Sequence, residues 1–259
     1  MPNPLPLLDR IATRLVREFP GTRVPIACQQ PIVSFTFDDV PEATLANGAD
    51  VLEAHQARGT FYVAGGLAST SEYGCTMLSA AGYSELAARG HELACHSFSH
   101  RSVRTLSRRQ LAEDLDRNAR YLAGVTSGAV TGRNFAFPRT IASPHVRREL
   151  DRRFRSCRGG HPGINRGAID RGYLKAVEIR PTTPIEALAG WIRELVAEPG
   201  WLIFFTHDIS PEPSTFGCTP ATLANLMKEV RRQGCAVLTV DAALDAVGVT
   251  HGKEPAPCQ

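Results

Sequence analysis

Short runs of β-branched and aromatic residues alternate along this chain with longer stretches in which apolar residues recur every three or four positions. That is the periodicity of strands separated by amphipathic helices. It predicts strands at 31–38, 59–64, 91–96, 134–138, 155–158, 174–179, 201–206 and 235–240. Helices are predicted between them at 43–57, 79–89, 107–123, 143–152, 183–197 and 219–232, the fifth showing the spacing in Leu188, Trp191, Ile192 and Leu195. Pro41, Pro184 and Pro220 stand near helix starts, where a missing N–H costs little, and Gly59, Gly90, Gly200 and Gly234 follow helices as stop signals. Six to eight strand–helix units imply an α/β fold, a distorted (β/α) barrel of seven or eight units. Neither GxGxxG nor a phosphate-binding GxxxxGKS/T run follows a strand, which speaks against an open nucleotide-binding sheet.

The regular pattern spans 31–248. Residues 1–30 are read as an extension packing on the barrel, with a helix near 7–18, and 249–259 as a loose tail. The 259 residues suit one large domain, and a formal charge of +3 is too small an excess for a nucleic-acid partner. The longest apolar run, Trp201 to Phe205, is far below the ~20 residues that span a bilayer, so no membrane span is expected. Three prolines within the first six residues break any secretory leader, and seven scattered cysteines without a CxxC pair fit reduced thiols. A cytoplasmic setting is the expectation. Arginine clusters at 101–120 and 147–158 are interleaved with Glu113, Asp114, Asp116, Glu149 and Asp151, and read as solvated helix faces.

In parallel α/β folds, reactive side chains collect at the carboxyl ends of strands. The first predicted strand empties into Asp38 and Asp39, whose opposite directions invite a division of labour, one carboxylate to a metal and one to proton transfer. A helix cap or turn is the competing role for such a pair. The third strand ends in His96-Ser-Phe-Ser-His100. If the chain turns helical there, the two imidazoles share a face at a spacing of ~5–6 Å and can grip one cation; a pair of ordinary surface histidines is the alternative. The seventh strand delivers His207-Asp208, and a histidine so placed is a candidate general acid.

At these residues the chain resembles the polysaccharide deacetylases, carbohydrate esterase family 4. Thr36-Phe-Asp-Asp39 is similar to the first motif of that family, His96-Ser-Phe-Ser-His100 to the second, Asn134-Phe-Ala-Phe-Pro138 to the third and Ile203-Phe-Phe-Thr-His-Asp208 to the last. The resemblance implies removal of N-acetyl groups from carbohydrate with one divalent ion as cofactor. Asp39, His96 and His100 would hold the metal, Asp38 would be the general base and His207 the general acid. The backbone N–H of Arg139 would bind the oxyanion and so contact the substrate. Zinc is the default ion for a His₂Asp set, with cobalt, manganese and nickel compatible. The implied partner is an acetylated sugar.

Three positions depart from the family pattern. The arginine that usually stands two residues before the third-motif proline, steadying the catalytic carboxylate, is Ala136 here; Arg139 is its nearest replacement in sequence. The Asp-rich fourth motif is replaced by Leu174-Lys-Ala-Val-Glu-Ile179, in which Glu178 is a candidate support for His207. Val40 follows Asp39 where many members carry glycine, a change in backbone freedom that removes no chemical group. These departures motivate a glycan-binding pseudoenzyme as a rival reading. A third reading keeps the catalyst but makes it an amidase or cyclic-imide hydrolase.

Overall fold

The predicted strands pair side by side in one parallel sheet. In the computed structural model, which describes residues 6–72, 74–130 and 132–249, these are β1 (Ile32–Asp38), β2 (Thr60–Val63), β3 (Glu92–Cys95), β4 (Asn134–Ala136), β5 (Ser156–Arg158), β6 (Val177–Glu178), β7 (Trp201–Thr206) and β8 (Ala236–Val237). The spatial order is β6-β7-β1-β2-β3-β4-β5, with β8 against the start of β1. The sheet curls until its edges approach one another. There Arg158 and Leu174 form an isolated parallel bridge, and the N–H of Gly159 donates to the Leu174 carbonyl at 2.9 Å. Closure by a bridge instead of a ladder is what distorts the barrel.

Alternation along β1 explains how the sheet divides its faces. Val33, Phe35 and Phe37 point outward into the main core, which also holds Leu188, Ile192 and Leu195 of the helix Ile185–Ala197 and Leu223, Leu226, Met227 and Val230 of the helix Pro220–Arg232. Each fully buried side chain of this kind contributes roughly 1.5–3 kcal/mol. The intervening Ser34, Thr36 and Asp38 are also buried, on the other face. They are satisfied across the ladder: the indole N–H of Trp201 donates to Ser34 Oγ at 2.9 Å, and Thr36 Oγ1 donates to the Phe204 carbonyl at 3.0 Å.

Several boundaries differ from those the pattern predicts. The expected 43–57 helix is split by a π turn at Leu45–Ala49 between Glu42–Thr44 and Asp50–Ala54. The expected 235–240 strand stops at Val237, because Thr239 Oγ1 accepts from the N–H of Ala242 and caps a further helix, Val240–Ala246. Helix 143–152 starts later than expected, at Arg147, after a 3₁₀ turn at Pro144–Val146. At the N-terminus, the helix Leu7–Glu18 buries Val16 against the cluster of Phe137, Val146, Leu150 and Tyr173. Arg23–Pro25 then pairs antiparallel with Ala168–Asp170. The expected tail falls, beyond Val249, outside the described residues. No helix among the described residues is long and apolar enough to cross a membrane.

Candidate metal and acid–base site

Parallel register brings the carboxyl ends of β1, β2, β3, β4 and β5 level with one another, pairing Asp38 with Tyr62, Val63 with Cys95, Cys95 with Phe135 and Ala136 with Arg158. The residues that follow those ends therefore meet over one mouth. Asp38 is the last residue of β1. Asp39 and Val40 then adopt left-handed backbone conformations, φ 59° and 56°, which turn the second carboxylate toward the same mouth as the first. A β-branched residue is strained there, so Val40 stores strain at the turn that aims Asp39.

Asp39, His96 and His100 converge, with one donor atom from each lying within 4.8 Å of the others. His100 Nε2 is 3.1 Å and His96 Nε2 3.6 Å from Asp39 Oδ1. The chain does not turn helical between the two histidines: 96–100 is a loop with left-handed Ser97 and His100. Its shape is set from outside. Asp114, on the helix Arg108–Val125, accepts from the N–H groups of Phe98 at 2.8 Å and Ser99 at 3.1 Å, and Ser97 Oγ accepts from the N–H of His100. Asp114, expected on a solvated face, is thus buried and structures the histidine loop.

The ring nitrogens are assigned by their partners. His96 Nδ1 is 2.9 Å from the Ala136 carbonyl and donates to it, which leaves the lone pair of Nε2 facing Asp39. Asp39 Oδ1 is buried and accepts no hydrogen bond among the described residues. Burial pushes Asp39 up to about 7, with His207 opposing and Asp38 reinforcing, and pushes His96 down to about 3, with Asp38 opposing. His100 is likewise lowered by burial. As protein atoms alone, the three donors resist every charge they could carry. A divalent cation reconciles an orphaned carboxylate oxygen with two inward lone pairs, so this donor set fits one.

Asp38 lies under a buried arginine. The Arg158 Nη2 group is 2.6 and 2.5 Å from the two Asp38 oxygens, while Nη1 donates to the Gly159 carbonyl. Burial by itself would raise Asp38. The guanidinium, with His96 and His207 adding to it, outweighs burial and holds the carboxyl below its usual range. Arg158 is sandwiched by the rings of Phe205 at 4.5 Å and Tyr62 at 5.1 Å. Arg158, and not Arg139, is therefore the charge that stands in for the arginine missing at 136. Arg139 is exposed, in a left-handed turn of φ 57° just past Pro138, and its charge reaches Asp39 and His100 only through space.

His207 follows β7, with Nε2 3.9 Å from Asp39 Oδ2 and Nδ1 3.3 Å from the Phe216 carbonyl. Its backbone is fixed from two sides: its carbonyl accepts from Thr44 Oγ1, and Asp208 holds the following loop through Ser214. The π turn extends this grip, since Asn47 Nδ2 donates to the Ile209 carbonyl at 2.9 Å. Glu178 is not brought to His207. It pairs with Arg180 at 2.8 Å, and Arg180 lies over the Phe216 ring that packs on His207. A cavity between Asp39 and His207, lined also by Glu72, Met77 and Phe216, measures about 10 Å³, room for one water-sized group. The strand pair Ser71–Glu72 and Cys75–Thr76 contributes two of its lining residues, Glu72 and Cys75.

Comparison with known proteins agrees with this geometry. The polysaccharide deacetylase family model matches residues 27–152. The fold is similar to a family 4 acetyl xylan esterase from Clostridium thermocellum solved with a cobalt ion: 23% identity, 88% of this chain and 100% of that one covered, TM-score 0.61. A family 4 carbohydrate esterase from Bacillus anthracis is 17% identical over 91% of this chain and 92% of its own, with a TM-score of 0.61. Among curated proteins, a bifunctional xylanase/deacetylase of Pseudobutyrivibrio xylanivorans is 28% identical over 87 residues, 34% of this chain. That match spans only 13% of the relative's length. Residues 27–152 thus match the polysaccharide deacetylase family, and the fold as a whole is that of the family 4 carbohydrate esterases.

Proposed function

We propose that this protein is a metal-dependent hydrolase that removes N-acetyl groups from an oligo- or polysaccharide. The observation that carries the reading is the buried Asp39–His96–His100 cluster beside an Asp38 kept ionised by Arg158. Asp39, His96 and His100 would hold one divalent ion, which when bound would polarise the acyl oxygen and acidify a water. Zinc is the default for these donors, and the cobalt of the Clostridium relative makes cobalt a second candidate.

The remaining steps belong to the chain. Asp38, ionised at neutral pH, accepts the proton of the attacking water. His207 carries the opposite duty: with Nδ1–H turned to the Phe216 carbonyl, its imidazolium gives the Nε2 proton to the departing nitrogen. The N–H of Arg139 is proposed as a donor to the oxyanion. Because Arg158 supplies the charge that Ala136 lacks, the motive for a pseudoenzyme weakens. The amidase or cyclic-imide reading keeps the same residues in the same roles and changes only the C–N bond that is cleaved. A cytoplasmic setting, read from the cysteine pattern, is part of the same proposal.

The test is acetate release from N-acetylglucosamine oligomers, run beside ureides and cyclic imides, on metal-stripped protein and after adding back zinc or cobalt. Matched release of acetate and free amine, restored by metal, supports the deacetylase. Turnover that survives stripping rejects the mechanism, and turnover confined to imides moves the substrate class.

A further inference from the structure

The helix Leu7–Glu18 is apolar on more of its surface than the barrel covers. Ala12 and Val16 face the protein. Leu7 and Leu8 are 67% and 63% exposed, Ile11 45%, Leu15 40% and the flanking Phe19 71%. At 100° per residue, Leu7, Ile11, Leu15 and Leu8 form one exposed arc beside the buried one, interrupted by Glu18 and extended by Phe19 just past the helix end, and Arg10, Arg14 and Arg17 fill the arc on the far side. Arg14 is paired with Glu18, whereas Asp9 turns inward to Arg104. The outer surface therefore combines a leucine and phenylalanine face with a net-basic one.

We propose that this helix docks on an anionic lipid surface, lying in the interface with Leu8, Ile11, Leu15 and Phe19 inserted and Arg10, Arg14 and Arg17 at the level of the headgroups. Three observations choose this occupant. The exposed apolar patch is on the order of 500 Å², the size at which such surface marks an interaction. Its arginines match negatively charged headgroups, and a basic amphipathic face is the pattern of interfacial helices. The helix is also anchored firmly enough to carry a load: Thr13 Oγ1 accepts from the Ala142 N–H at 3.2 Å, and Arg147 caps the helix end by donating to the Val16 carbonyl at 3.1 Å. Those contacts lie on the segment that carries Arg139, so docking holds that rim of the barrel close to the bilayer.

The full chain is mixed with sedimentable vesicles of phosphatidylcholine, with or without phosphatidylglycerol. Binding is expected to anionic vesicles, weakening as salt rises. Leu8→Gln with Leu15→Gln and Phe19→Gln should reduce the bound fraction about tenfold or more, and Arg10→Gln with Arg17→Gln should weaken it by a comparable factor at low salt. Circular dichroism melts of both variants should match the parent, because none of these side chains is buried. No binding to anionic vesicles overturns the proposal, as does binding unchanged in the leucine and phenylalanine variant. Light scattering that shows a dimer dissociated by the same variant, with no vesicle binding, reassigns the face to a second copy. Neither readout depends on acetate release, so this inference and the hydrolase reading fail separately.

Discussion

Ala136 and Arg158 are direct partners across the β4–β5 ladder, and the arginine reaches back over the alanine to both oxygens of Asp38. The small side chains of Ala94 and Ala136, packed with Tyr62, leave the space that the guanidinium fills. The charge that the family resemblance expects at 136 is thus supplied by the next strand, on the same side of the mouth.

Removing that charge should therefore disable the base without touching the metal donors. Arg158→Met is expected to raise the Asp38 pKa, cut turnover at neutral pH by about 100-fold or more, and leave metal content unchanged. It should also destabilise the fold by about 3–5 kcal/mol, since it leaves a buried carboxylate unpaired. Ala136→Arg added to Arg158→Ala should recover part of the loss. Activity profiles against pH, metal analysis and urea titration measure all three.

Asp38 and the metal donors should separate under mutation. Asp38→Asn is expected to retain a full equivalent of divalent ion while losing turnover, whereas His96→Ala should lose both, because it removes a donor and the link to the Ala136 carbonyl. Elemental analysis beside acetate release decides the matter. Full activity in Asp38→Asn would reassign the base.

His207 is outside the cluster of close donors, so His207→Gln should keep metal affinity within a few-fold and lower turnover about 10²–10⁴-fold. Substrates with a better leaving group should lose less. An equal loss for all leaving groups would make His207 a positioning residue instead.

Stability of the metal-free protein should carry a histidine signature. The buried His91 ring accepts from the Gly59 N–H at Nδ1 and faces Glu53 with Nε2, and burial, opposed by Glu53, lowers its pKa. The folded ring thus stays neutral as pH falls through about 6.5 while the unfolded imidazole takes up a proton. The unfolded chain binds more protons, so stability drops with falling pH, by at most about 1.4 kcal/mol per pH unit for one such group. Asp39, raised to about 7, works in the opposite sense. The difference between the parent and His91→Gln isolates the His91 share: urea midpoints should fall less steeply from about pH 7.5 to about 5.5 in the variant. Parallel slopes would refute it.

The strands, and the gathering of Asp39, His96 and His100 beside Asp38, are legible in the sequence because their signals are local, each being a β run that ends in a chemically active side chain. His207 was legible for the same reason. Arg158 was not, although it closes a predicted strand, because its role depends on which residue it faces across the ladder, and register is a tertiary quantity. Asp114 sits in a run of helix charges that looks solvated, and only the loop folded over it shows otherwise. Glu178 was misassigned since proximity in sequence order gave it no view of Arg180 as the nearer partner. The helix Val240–Ala246 was hidden because the apolar residues of Gly234-Cys-Ala-Val-Leu-Thr239 run straight into it, and a single threonine cap marks the change.

The hydroxyl of Thr44 on the His207 carbonyl has a mechanical meaning. Thr44 stands five residues after Asp39 on a continuous stretch of backbone, and the π turn beyond it grips the peptide of Ile209. Two side chains of the candidate site that lie far apart in the sequence, Asp39 and His207, are therefore gauged against one short ruler. Lengthening or shortening 40–44 by a single residue resets the gap between them, however well the remainder of the barrel folds.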